Sequence, residues 1–176
     1  MKGENTYKSA KVLLDIAEKQ YSGERQRTDS IDGKAGMFVG FILAIFAFIF
    51  PYIPYKEIKT KFMTGKCIEQ CILIIILIIL ALSSFFMLVA LYNLFKGFSL
   101  KPFSQFEATS ISDSELLYQD ANVTEKTLTE KYCEAADDNK KTNDNKAHYV
   151  AKGLKCSINA FLTVLMSFLI LNFWVL

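Results

Sequence analysis

Histidine is nearly absent from this 176-residue sequence, proline is scarce, and acids and bases almost cancel. The one histidine, His148, stands in "NKAHYV" without a clustered cysteine or carboxylate, which argues against a histidine-built metal or acid–base site. Four cysteines are too few and too scattered for zinc: Cys67 and Cys71 lie one helical turn apart, but no further pair of ligands is near them in sequence. Cys133 and Cys156 fall in regions expected on the reducing side of the membrane, so neither suggests a disulfide. No phosphate-binding P-loop, GxSxG elbow or GxGxxG fingerprint is present. No paired-carboxylate pattern stands out either, so the chain does not read as an enzyme. The net charge of +2 comes without a basic block, which leaves nothing to suggest nucleic acid as a partner.

The most informative absence is of charge over long stretches. Ala35 to Tyr55, Gln70 to Phe95 and Cys156 to Leu176 contain no charged residue. A bilayer core about 30 Å thick needs roughly 20 apolar helical residues, so each run is long enough to span it. "CILIIILIILAL" (71–82) is apolar on every face, unlike a soluble surface helix. With 52% hydrophobic residues the chain is too apolar for an ordinary soluble domain of its size. The spacing predicts an all-α membrane protein. Its expected parts are an amphipathic helix over 1–34, spans over 35–55, 70–95 and 156–176, a short loop over 56–69 and a helical region over 96–155. The 34 polar or amphipathic residues ahead of the first run read against a signal peptide.

Positive residues near the spans indicate the orientation. Lys19, Arg25, Arg27 and Lys34 precede the first span, and seven lysines flank the long connection; Lys56, Lys59, Lys61 and Lys66 lie on the other side. The larger set is expected in the cytoplasm, which places the N-terminus inside and the short loop outside in a multi-pass protein of the inner (plasma) membrane. In the N-terminal segment Tyr7, Ala10, Leu13, Leu14, Ala17 and Tyr21 recur at helical spacing, with Asn5 or Thr6 as a possible cap. The opposite face mixes signs, which favours packing on another cytoplasmic helix over lying on the membrane. In the long connection, Ser112 and Glu115 suggest a capping box for a short helix over 113–119. Beyond it, Leu128, Tyr132, Ala135, Asn139, Thr142, Lys146 and Tyr149 follow a three-four spacing. That pattern predicts a helix from near Thr124 into the last span, about 75 Å long at 1.5 Å per residue, with the N-terminal helix as its partner in a cytoplasmic bundle.

The first span opens on a GxxxG pair, Gly36 and Gly40, extended by Ala44. Small residues at this spacing let helices approach closely in lipid. Pro51 and Pro54 are expected to end the span. Asp32 and Lys34 sit just outside it. They read either as a helix cap and a snorkelling interfacial lysine, or as a fixed contact to the cytoplasmic helices or to a ligand. The spans contain no charge, and Ser83, Ser84, Asn159 and Thr163 are their obvious polar groups, so no ion pathway is written in them.

The stretch "ERQRTDSIDGKAGMFVGFILAI" (24–45), through Asp32, Lys34, Ala35 and Gly36, resembles the D-x-K-A-G entry to the first span of the Pycsar-type transmembrane effectors, small bacterial anti-phage membrane proteins. "NKAHYVAKGLKCSINAFLTVLM" (145–166) is similar in character to that family's last segment, and the order of segments is similar throughout. The resemblance implies an antiviral effector switched on by cyclic CMP or cyclic UMP from a partner cyclase. As a homo-oligomer in the lipid bilayer it would then breach the inner membrane. Arg25, Arg27 and Lys34, with Asp32 beside them, are the expected ligand-binding residues, because a cyclic mononucleotide carries one negative charge and the three positives lie nearest the junction with the first span. No metal or other cofactor is expected. Two further readings stay open: a holin-like or small channel-forming protein without a ligand, and an anchor subunit of a membrane complex.

Overall fold

A computed structural model describes residues 9–100, 103–104 and 119–175. Among them the only regular structure is helical: α1 (Ala10–Ile49), a 3-10 turn (Phe50–Tyr52), α2 (Tyr55–Thr64), α3 (Cys67–Phe98) and α4 (Ala121–Val175). Three of these, α1, α3 and α4, are long and apolar enough to cross a membrane, so this is a multi-pass membrane protein. The caps proposed at Asn5 or Thr6 and the short helix with its Ser112 and Glu115 box fall on or depend on residues outside the described ones.

The buried residues of each long helix recur at alternating steps of three and four. In α1 the buried or half-buried series is Ala10, Leu14, Ala17, Tyr21, Glu24, Thr28, Ile31, Ala35, Phe38, Ile42, Ile45 and Ile49. In α3 it runs from Leu73 through Ile76, Leu80, Ser83, Met87, Ala90 and Leu94 to Gly97. In α4 it passes through Tyr132, Ala136, Asn139, Asn143, Lys146, Val150, Gly153, Ser157, Ala160, Val164, Ser167 and Leu171. This 3.5-residue period is the repeat of a coiled-coil seam, which keeps one stripe turned to a partner along the whole helix. The expected stripe on α4 therefore holds at Tyr132, Asn139 and Lys146. At the alternate positions the deeper side chains are Ala136, Asn143 and Val150, with Ala135, Thr142 and Tyr149 half-buried at its edge.

Two local differences have plain causes. Asp32 does not cap a helix: α1 runs through Asp32, Gly33 and Gly36 without interruption. A glycine inside a helix costs only about 1 kcal/mol, which a packed seam outweighs. Residues 56–69 are not a loop throughout, because α2 occupies Tyr55–Thr64 and packs on α3. Its Ile58 lies against a core of Ile53, Leu73, Ile76 and Leu171, which supplies the burial that so short a helix needs.

The chain divides into two compact units. One comprises residues up to Asp32 together with Leu100–Ala147, and the other Gly33–Ser99 with His148–Leu176. The second holds the membrane spans. There α3 runs against α4, and Gly153 marks a close approach: a Cβ added to it would meet Leu94 Cγ at 2.9 Å and the Ala90 carbonyl oxygen at 3.1 Å. On α3 one series of seam positions, Ser83, Ala90 and Gly97, is small at every seventh residue, and so are Gly153, Ala160 and Ser167 on α4. Small side chains at the seam are what bring two helix backbones together where lipid offers no hydrophobic drive.

Candidate functional site

The first unit is built on a polar seam. In it α1 and α4 run parallel, Tyr21 stacking at its edge on Tyr132 (5.5 Å between centroids) and Asp32 pairing with Lys146 further along. Between these points the seam carries the polar Glu24, Thr28, Asn139 and Asn143 beside the apolar Ile31 and Ala136. The Thr28 hydroxyl lies 2.8 Å from Asn143 Oδ1 and 3.0 Å from the Glu24 carbonyl oxygen. Asn143 Nδ2 donates to the Glu24 carbonyl at 2.9 Å and to Glu24 Oε2 at 2.8 Å. Asn143 is 1% exposed, so its amide has no recourse to water and depends on this register of the two helices. A buried asparagine at a seam position sets register and partner number in parallel coiled coils at a cost in stability. Asn143, held by Glu24 and Thr28, meets that description.

Lys146 and Arg27 form ion pairs along this seam and at its edge. Lys146 Nζ sits 3.0 and 3.2 Å from the two oxygens of Asp32. The lysine is 4% exposed, which leaves the carboxylate as its compensating charge. Arg27 Nη2 donates to Asp144 Oδ1 at 2.6 Å, and Nη1 lies 3.5 Å from Glu24 Oε2. The bond to Asp144 raises Arg27 above the ordinary guanidinium value, so it is charged at every working pH. Burial raises the phenol of Tyr132, which stays protonated against Tyr21.

Of the residues expected to bind a ligand, Arg27 and Asp32 are therefore engaged in ion pairs between the helices, Asp32 at the seam and Arg27 at its exposed edge. Arg25 and Lys34 are exposed. The reading of Asp32 as a fixed contact to another helix matches its geometry. Gly36, Gly40 and Ala44 are also exposed. Within the chain α1 packs through Ala35, Ile42, Ile45 and Ile49 instead, and a Cβ on Gly40 would meet nothing within 4 Å. On Gly36 it would meet only the Phe98 ring, at 3.7 Å.

One feature was not readable from the spacing. Asn139 clamps the backbone of Ser104, accepting from its N–H at 2.7 Å and donating to its carbonyl at 3.1 Å. Tyr21 adds a hydroxyl bond to the same carbonyl at 3.3 Å and packs its ring 5.1 Å from Phe103. The clamp holds Phe103 at the wall of an open cleft of about 510 Å³, lined also by Ser104, Asp138, Asn139, Lys141, Thr142 and Asn145. That volume lies in the range of small-molecule sites. Its wall offers a ring face, a hydroxyl, a primary amide and the Lys141 ammonium, which makes only a loose 3.5 Å contact with Asp138. The signal in the sequence was the pair of asparagines, Asn139 and Asn145, in a helix otherwise dominated there by charge.

Compared with known proteins, the chain matches no family model, no curated protein and no solved structure.

Proposed function

We propose that the chain is a ligand-switched membrane effector. The bundle unit takes a cyclic pyrimidine mononucleotide, cyclic CMP or cyclic UMP, supplied by a partner cyclase. Assemblies of the membrane unit then breach the inner membrane as an anti-phage response. The observation that carries this reading is the cleft beside Phe103. An aromatic face can stack a base, Thr142 and Asn145 can hydrogen-bond its edge, and Lys141 can exchange its loose contact with Asp138 for the single phosphate charge. A chain that only lysed or anchored would need no such cleft, and the resemblance around Asp32, Lys34, Ala35 and Gly36 points the same way. Arg27 and Asp32 then set helix register, Arg25 and Lys34 remain available to anions or lipid phosphate, and recognition falls to the cleft.

Calorimetry of the purified protein against cyclic CMP, cyclic UMP and cyclic AMP tests it. Binding of at least one pyrimidine nucleotide is expected, weakened about tenfold by Phe103→Ala through lost stacking and abolished by Lys141→Glu. No binding to either, with depolarisation on expression alone, would favour the ligand-free holin-like reading.

Orientation has its own test. Cys67 and Cys133 are both exposed on the protein surface. With the N-terminus cytoplasmic, an impermeant thiol reagent added to intact cells labels Cys67 and spares Cys133. The reverse pattern would put the cleft on the wrong side for a cytoplasmic messenger.

A further inference from the structure

The membrane unit carries a second depression, an apolar groove of about 450 Å³ between α3 and α4, lined by Ile79, Leu82, Ser83, Phe86, Cys156, Asn159, Ala160 and Thr163. Its depth follows from the packing. Gly153 meets Ala90 and Leu94, and Asn159 lies six residues further along α4, about 9 Å at 1.5 Å per residue, so it comes level with Phe86. The charge-free run of α3, Gln70–Phe95, has its midpoint at Leu82 and Ser83. The groove therefore lies within the hydrocarbon, near the middle of the α3 run, while on α4 Asn159 stands three residues inside the charge-free run Cys156–Leu176 and one turn beyond Lys155.

The polar side chains in these runs almost all satisfy themselves on their own helix. Ser83 donates to the Ile79 carbonyl, Ser84 to Leu80, Thr163 to Asn159, Ser167 to Thr163. The amides of Asn93 and Asn172 do the same, to Val89 and Phe168. Asn159 differs: among the described residues its side-chain amide makes no hydrogen bond, and it is exposed at the groove. Facing the hydrocarbon of a core roughly 30 Å thick, the amide finds fewer partners than it would in water. An amide left unpaired in hydrocarbon is costly.

We propose that this groove is the contact through which two copies of the chain associate in the bilayer. Copies inserted in the same sense are related by an axis along the membrane normal, which brings each residue near the axis to its counterpart at equal depth. A primary amide carries both donor and acceptor, so Asn159 from two copies forms a reciprocal pair. Ser83 and Ala160 keep the surface beside it small enough for close approach. This names the surface behind the assembly proposed above and rests on membrane insertion, not on any nucleotide.

The test is fluorescence energy transfer between labelled copies in liposomes of phosphatidylethanolamine and phosphatidylglycerol, diluted with lipid in the absence of nucleotide. Asn159→Leu, an apolar change at a lipid-facing position that eases insertion, should shift the dissociation midpoint about tenfold. Asn159→Gln should shift it less, and Leu88→Asn, exposed on the opposite face of α3, should not reproduce the wild-type pairing when combined with Asn159→Leu. In a variant keeping only Cys156, membrane-soluble oxidant should yield a cross-linked dimer that Asn159→Leu suppresses. An unchanged dilution curve for Asn159→Leu, or a wild-type chain that stays monomeric at high protein density, overturns the proposal. Neither result bears on nucleotide binding, which calorimetry reads separately.

Discussion

Asp32→Ala is expected to loosen the bundle unit by about 2 to 3 kcal/mol. Lys146 is buried, and removing its carboxylate leaves a charge without compensation, for which losses of about 3 to 5 kcal/mol are typical. The lower figure applies because the Asp32 side chain is itself 34% exposed, so water recovers part of the interaction. Hydrogen exchange in nanodiscs is the direct readout. Amides of α4 around Asn139 to Lys146 should exchange roughly 30- to 150-fold faster, while those around Val164 keep their protection. The double replacement Asp32→Leu with Lys146→Met removes both charges and should restore much of the loss. If the single variant exchanges like the wild type, the pair is a surface contact of no consequence.

The other large effect is expected at Gly153. Gly153→Leu puts a side chain where a single Cβ already meets Leu94 at 2.9 Å and the Ala90 carbonyl at 3.1 Å. Leu94 can rotate, but the Ala90 carbonyl is backbone and cannot yield without moving α3. Overpacking of this kind costs typically 1 to 3 kcal/mol, and the fixed carbonyl places this site near about 3 kcal/mol. Thermal unfolding in detergent, followed by helical circular dichroism, should show a lowered midpoint. Gly40→Leu is the matched control, since the space around Gly40 is open within the chain. Equal midpoints for the two variants would mean that α3 and α4 do not pack through Gly153. Adding Leu94→Ala to Gly153→Leu should recover only part of the loss, because the carbonyl remains.

What could be read from the sequence was what depends on composition along the chain. The three spans follow from the absence of charge, and the joining of the last span to the helix before it follows from the lack of glycine or proline between Thr124 and Gly153. Periodicity also located Asn139 and Lys146 on the inward side of α4. Partners were not legible, because they lie more than a hundred residues away: nothing near Asp32 announces Lys146, and nothing near Thr28 announces Asn143. The same holds for Gly153, which reads locally as a break in a helical pattern and is in fact a point of close packing, a role visible only with Ala90 and Leu94 beside it. Over 56–69 four lysines in fourteen residues look like a solvated loop, although Tyr55–Thr64 is helical. Ile58 on the membrane core was enough to make them a helix.

The unbroken step of three and four along α1 and α4 also limits how this protein can change length. One inserted residue in α4 turns everything after it by about 100°, so Asn143 and Lys146 could not both face α1 while Tyr132 still did. Seven inserted residues complete two turns to within about 20° and keep the stripe in place, provided that α1 gains the same seven. Drift in the bundle thus favours paired heptads, and an insertion that is not a whole number of heptads, placed between Tyr21 and Thr28 or between Tyr132 and Asn143, moves Thr28 out of register with Asn143.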